Sequence, residues 1–225
     1  MQRDYDLLIF DWDGTLADSI GRIVEAMHAS AERAGYPLCS DEAVKGIIGL
    51  GLPVAISTLY PHLVETEVMA FRQHYADIYM ALDDRPSPLF PGVVEALDGF
   101  RAEGYRLAVA TGKARRGLDR VPKANGWERL FDITRTGDET RGKPHPLMLE
   151  EILAHCQVPA SRALMVGDSS FDLIMARNAG MHSVAVGYGA MSLETLSVHQ
   201  PQLSIEHFSQ LPAWLARSAA PVFPG

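Results

Sequence analysis

The chain has 225 residues, of which 47% are hydrophobic and 21% charged, and a formal net charge of −8. This length and apolar share allow one large domain or a core with a smaller insert, and they exclude a chain disordered throughout. The negative balance argues against nucleic acid, whose phosphates select basic faces, and no apolar run approaches the roughly 20 residues that span a bilayer.

In chain order, "YDLLIF" (5–10) is a short apolar run ending in a turn signal, the pattern of a strand buried on both faces. Residues 17–88 then show helical periodicity in "IGRIVEAMHASAERAG", "DEAVKGIIG", "LPVAISTLY" and "ETEVMAFRQHYADIYMAL", with no strand. They end in the proline-rich "DDRPSPLFPG", which reads as a hinge or linker. Beyond it, the strand-like runs "RLAVAT" (106–111), "ALMVG" (163–167) and "SVAVG" (183–187) alternate with helical stretches at 91–104, 146–156 and 172–180. Gly104 and Gly180 suit helix C-termini. This alternation predicts a parallel sheet with right-handed crossovers, and the helical stretch an insert after the first strand. The last residues, "SAAPVFPG", are expected to fray. Cys39 and Cys156 are far apart with no CxxC, and with no signal peptide visible they are read as reduced thiols of a cytoplasmic protein.

Asp11 and Asp13 in "DWDGT" stand where the first strand ends. Side chains at i and i+2 of a strand point the same way, so the two carboxylates could share one pocket. Like charges that close repel and lose hydration, so a cation or a proton is expected beside them. Gly14 permits a tight turn and Thr15 adds a hydroxyl. The other strand tips carry Thr111 and Gly112 in "ATGK", and Asp168 and Asp172 in "GDSSFD"; Lys143 lies in "GKP" ahead of a helix. The carboxyl ends of parallel strands are where such sheets bind ligands.

These four segments, in this order over residues 11–172, resemble the haloacid dehalogenase (HAD) superfamily of phosphatases, the phosphoglycolate phosphatase-like members with a helical cap in particular. One departure is Trp12, where the family usually carries an aliphatic residue. The resemblance implies an α/β fold: a Rossmann-like parallel sheet core over 1–16 and 89–225, with an inserted α-helical cap domain over 17–88. It implies Asp11 as the nucleophile that takes the phosphoryl group, and Asp13 as the acid that protonates the leaving oxygen and then deprotonates water. Thr111, Lys143, Gly14 and Gly112 would hold the phosphate. Mg²⁺ is the implied cofactor, on Asp11, the backbone carbonyl of Asp13 and Asp168, with Asp172 in the same metal set by orienting Asp168 or a metal-bound water. Three carboxylates and a phosphate dianion carry five negative charges, of which Mg²⁺ and Lys143 return three. The implied partner is a small phosphorylated metabolite, with neither nucleic acid nor membrane, for a monomer or homodimer.

Near alternatives are a β-phosphoglucomutase-like phosphotransferase and, from another class, a receiver module phosphorylated on aspartate. Dehalogenation is disfavoured because those relatives lack the acid present here as Asp13. In the insert, "KGIIGLGLP" (45–53) offers a glycine-rich loop for the cleft and Lys45 as an anion contact. "KARRGLDR" (113–120) reads as a solvated basic helix face in preference to a contact for an anionic substrate, His145 as a structural residue or one that supports the site from behind, and Met165 and Met175 as core.

Overall fold

The computed structural model describes residues 3–82, 87–120, 127 and 129–218. Part of the expected hinge, 83–86, and nearly all of the expected frayed tail, 219–225, lie outside the described residues.

Six strands form one sheet: β1 (Leu7–Phe10), β2 (Arg106–Thr111), β3 (Ile133–Thr136), β4 (Ala163–Gly167), β5 (His182–Val186) and β6 (Leu203–Ile205). Their spatial order is β3-β2-β1-β4-β5-β6, and every pairing is parallel. β1 lies between β2 and β4, with Ile9 opposite both Ala108 and Met165. All four β1 residues are buried, which explains a run with no polar alternation. One face packs Phe10, Leu107, Leu164 and Val184 against Leu97 and Phe100; the other packs Ile9, Ala108 and Met165 against Met148, Leu149, Ile152 and Met175.

The connecting helices are α5 (Val93–Ala102), α6 (Arg115–Leu118), α7 (Leu147–Cys156), α8 (Ser170–Asn178), α9 (Leu193–Ser197) and α10 (Gln210–Ser218). Gly104 and Gly180, past α5 and α8, take φ of +82° and +70°, the left-handed turn that ends a helix. β3 and β6 have no counterpart among the sequence-predicted strands. Both are sheet edges of four and three residues, and β3 carries Thr134 and Arg135 in the middle of its short run.

Between β1 and α5 the described residues form four helices: α1 (Ile20–Ala34), α2 (Asp41–Lys45), α3 (Leu52–Leu59) and α4 (Glu65–Leu82). They share an apolar cluster of their own, built on Ile23, Met27, Val44, Ile56 and Phe71. The chain leaves for these helices and returns from them through two hydrogen-bonded segments: Asp18 N–H donates to Pro88 O at 2.8 Å, and Phe90 N–H to Leu16 O at 3.0 Å. No described helix is long and apolar enough to cross a membrane.

Candidate active site

The site forms at the carboxyl ends of β1, β2 and β4. Asp11 follows β1 directly, and its N–H donates to Val166 O at 2.9 Å, extending the ladder by one residue. Asp168 follows β4, and Thr111 ends β2. Asp172 lies in the first turn of α8, where it closes a capping box: Ser169 Oγ donates to Asp172 Oδ2 at 2.7 Å and Ser169 N–H to the same oxygen at 3.2 Å. The N-cap itself is Ser169.

Asp11, Asp168 and Asp172 are buried, and one carboxylate oxygen from each lies within 4.8 Å of the others. Lys143, equally buried, enters from the loop before α7. Its Nζ lies 2.6 Å from Asp172 Oδ1, as a hydrogen bond, and 2.8 Å from Asp11 Oδ1. The second contact is close but off the angle of a hydrogen bond, so both oxygens of Asp11 stay buried without a hydrogen-bond donor. An orphaned buried carboxylate is costly unless a further cation or a proton meets it.

The titration of the cluster follows from this crowding. Burial pushes the Asp11 carboxyl up to about 7; Lys143 opposes the rise, and the neighbouring charges of Asp172 and Asp13 add to it. Asp168 is raised well above the usual carboxylate range, first by burial, then by Asp11 and Asp172. Burial works against the Lys143 ammonium too, but Asp11 and Asp172 outweigh it and keep it charged. That Asp11 rises beside an ammonium means one cation is too little for three buried carboxylates. An all-oxygen donor set with this surplus of negative charge fits a hard divalent cation.

Asp168 is held on several sides. Ala190 N–H donates to its Oδ2 at 2.7 Å and Thr15 Oγ1 to its Oδ1 at 3.2 Å. Gly14, at φ +83°, lets the chain turn where a Cβ would lie 2.0 Å from Asp168 Oδ2. The Gly14 N–H is already donated to Ala17 O at 2.9 Å, so Gly14 supplies space here and not the anion donor expected of it. Thr111 Oγ1 accepts from Lys113 N–H at 3.2 Å at the tip of β2. Trp12 is buried against Trp127 and Phe131, ring centroids 6.5 and 6.3 Å away; its indole is core and leaves the backbone to serve the site.

Asp13 lies near enough to Asp11 for its charge to raise that carboxyl. It sits past the strand, in the turn, where Ser19 Oγ donates to its Oδ1 at 2.7 Å and Lys113 Nζ reaches its two oxygens at 2.9 and 3.1 Å. β1 ends at Phe10, before either acid, so the turn rather than strand alternation sets where the two side chains lie. Lys113 also corrects the reading of 113–120 as a solvated face. Its side chain is only 13% exposed, and Nζ lies 3.3 Å from Tyr79 Oη and 4.8 Å from the centre of that ring, on α4. Arg115 is tied to Glu139 and Thr134 as well, while Arg116 is exposed as expected. The basic cluster that begins at Lys113 offers an anion contact in sequence, but its pairing with Asp13 carries no sequence signal.

Two features of the helical insert meet this region differently. The loop 46–51 reaches the core: a Cβ on Gly112 would lie 2.4 Å from Gly49 O and 2.6 Å from Leu50 O, and one on Gly137 would lie 2.6 Å from Gly112 O. Main chain thus rests on main chain beside Thr111. Lys45, by contrast, lines a cavity of about 620 Å³ against α1, with Glu25, His28, Glu32 and Asp41, and none of the strand-end carboxylates lines that cavity. His145 accepts from Leu147 N–H at 3.2 Å through Nδ1, and Met165 and Met175 are core, as expected.

The model of the haloacid dehalogenase-like hydrolase family matches residues 8–186. Among curated proteins, the chain is 34% identical to a probable phosphatase, IndB, of Dickeya dadantii, over 96% of this chain and 97% of that one. It is 32% identical to a phosphoglycolate phosphatase of Vibrio parahaemolyticus, over 97% and 99%. A solved structure described as a predicted phosphoglycolate phosphatase from Haemophilus somnus superposes with a TM-score of 0.85 at 26% identity, covering 95% of this chain and 99% of that one.

Proposed function

The chain belongs to the haloacid dehalogenase-like hydrolases, and from that premise we propose that it is a Mg²⁺-dependent phosphatase releasing phosphate from a small, phosphoglycolate-like metabolite through an aspartyl-phosphate. The observation that carries this reading is the buried Asp11 carboxylate, with neither oxygen hydrogen-bonded, facing Asp168, Asp172 and the Lys143 ammonium. Lys143 meets Asp11 through one oxygen only, at 2.8 Å, which leaves the other oxygen free to attack phosphorus.

In this reading Mg²⁺ would be held by Asp11, the Asp13 carbonyl and Asp168, and when bound it supplies positive charge to the phosphoryl oxygens. Asp172 acts one step out: it fixes Lys143 and is itself fixed by Ser169. Asp11 attacks phosphorus, and Asp13, on the open side of the turn, gives a proton to the leaving oxygen. Asp13 then takes a proton from the water that opens the aspartyl-phosphate, returning Asp11. Lys143 and the Thr111 hydroxyl orient the phosphoryl group. Helices α1–α4 act as a cap domain whose loop 46–51 covers the site and keeps water from it.

A panel of phosphorylated metabolites, with phosphoglycolate first, tests this by released phosphate. Asp11→Asn is expected to lower turnover by at least about a thousandfold while its circular dichroism matches that of the parent. Release of free phosphate also separates hydrolysis from return of the phosphoryl group to a sugar. Full turnover in the Asp11→Asn enzyme overturns the nucleophile assignment.

A further inference from the structure

The cleft holds a second ammonium that the chemistry above does not use. Lys143 lies between Asp11 and Asp172, on the phosphoryl side. Lys113 lies on the other side, against Asp13, with a side chain only 13% exposed. Among the described residues, Asp13 is the one carboxylate it pairs with. Its other close neighbour comes from the helical insert: the Tyr79 hydroxyl, on a ring stacked with Tyr75 at 5.7 Å between centroids.

This placement fixes what Lys113 meets. Once Asp11 faces phosphorus and Asp13 faces the leaving oxygen, the rest of the leaving group must continue past Asp13. There it encounters an ammonium, a phenol hydroxyl and an aromatic wall. A lysine serving Asp13 alone could be placed anywhere around that carboxylate; this one is set between Asp13 and the insert. We propose that Lys113, with the Tyr79 hydroxyl beside it, is the specificity-determining cation of this enzyme, and that it selects leaving groups bearing a carboxylate on the carbon next to the phosphate ester. A phosphorylated 2-hydroxy acid fits: its carboxylate stands one carbon beyond the ester carbon, within reach of an ammonium already beside the proton donor. Charge-assisted contacts of this kind are short and about twice as strong as neutral ones. Lys113 keeps its contact with Asp13 in the process, since an ammonium has three donors.

This inference rests on the phosphatase reading. Its test compares kcat and KM on 2-phosphoglycolate and on 2-hydroxyethyl phosphate, which has the same length and no carboxylate, with Mg²⁺ present. The parent enzyme prefers the carboxylated ester. In K113M the preference falls about 10- to 100-fold, with most of the loss in KM for 2-phosphoglycolate. K113R restores most of it, and K113Q gives the same comparison should the methionine variant not fold. If the ratio of the two kcat/KM values stays within about threefold of the parent's in K113M or K113Q, Lys113 serves Asp13 alone and the inference is wrong. An enzyme showing no preference to begin with overturns it equally. Phosphate released with unaltered selectivity leaves the phosphatase reading standing, whereas no phosphate from any monoester removes both.

Discussion

The three buried carboxylates make the metal-free protein sensitive to alkali, and the size of the effect follows from Asp11. Its carboxyl is pushed from 3.8 to about 7 in the folded chain. A raised carboxyl binds its proton more tightly folded than unfolded, so it stabilises fully below about pH 4 and loses that contribution as pH rises through about 7. The rise is worth about 4 kcal/mol, or a fall in Tm of about 8–16 °C for a chain of this length. Asp168, raised in the same direction, adds to the loss. Asp6 does not obscure it: hydrogen bonding to Arg162 lowers that carboxyl to about 2, so its contribution is already complete above pH 4. The assay is thermal melting by circular dichroism from pH 4.5 to 8, with EDTA and again with millimolar Mg²⁺. Tm should fall with pH in EDTA, and Mg²⁺ should restore most of it at pH 8. Asp11→Asn should flatten the EDTA profile, since its amide does not titrate. A metal-free Tm that is level or rises across this window refutes the reasoning.

Gly112→Ala would drive a Cβ to 2.4 Å from Gly49 O, a backbone atom that cannot rotate aside. We expect about 1–3 kcal/mol of lost stability by melting, together with a fall in kcat/KM as loop 46–51 lifts; an alanine enzyme unchanged in both would mean the loop does not rest there in solution. Gly189→Ala would place a Cβ 2.3 Å from Asp168 Oδ2 and displace that carboxylate. The Mg²⁺ concentration for half-maximal activity should rise at least about tenfold, as titration of activity against Mg²⁺ would reveal.

The central strands β1, β2, β4 and β5 could be read from sequence because burial on both faces forces an unbroken apolar run. Edge strands β3 and β6 carry no such demand, and four or three residues are too few to show a period. Asp11, Thr111, Lys143, Asp168 and Asp172 were legible as a set of motifs, and the structure brings Asp11, Lys143, Asp168 and Asp172 together. What the pattern could not convey was partnership. That Asp13 faces Lys113 across a hundred residues, and Tyr79 beyond it, depends on where the turn after β1 and the end of α4 come to lie. The role of the Gly14 N–H is hidden for a similar reason, since only the closed turn shows that Ala17 already takes it.

In the proposed reading, the bare backbone meeting of Gly49, Leu50, Gly112 and Gly137 would set a ceiling height over the phosphoryl group. No side chain along that line could swing away to admit something larger, so headroom would come from lifting loop 46–51 or tilting the helices about the paired segments at 16–18 and 88–90. A bulky ester would forfeit every contact along that line at once, which turns substrate thickness into a threshold rather than a gradient.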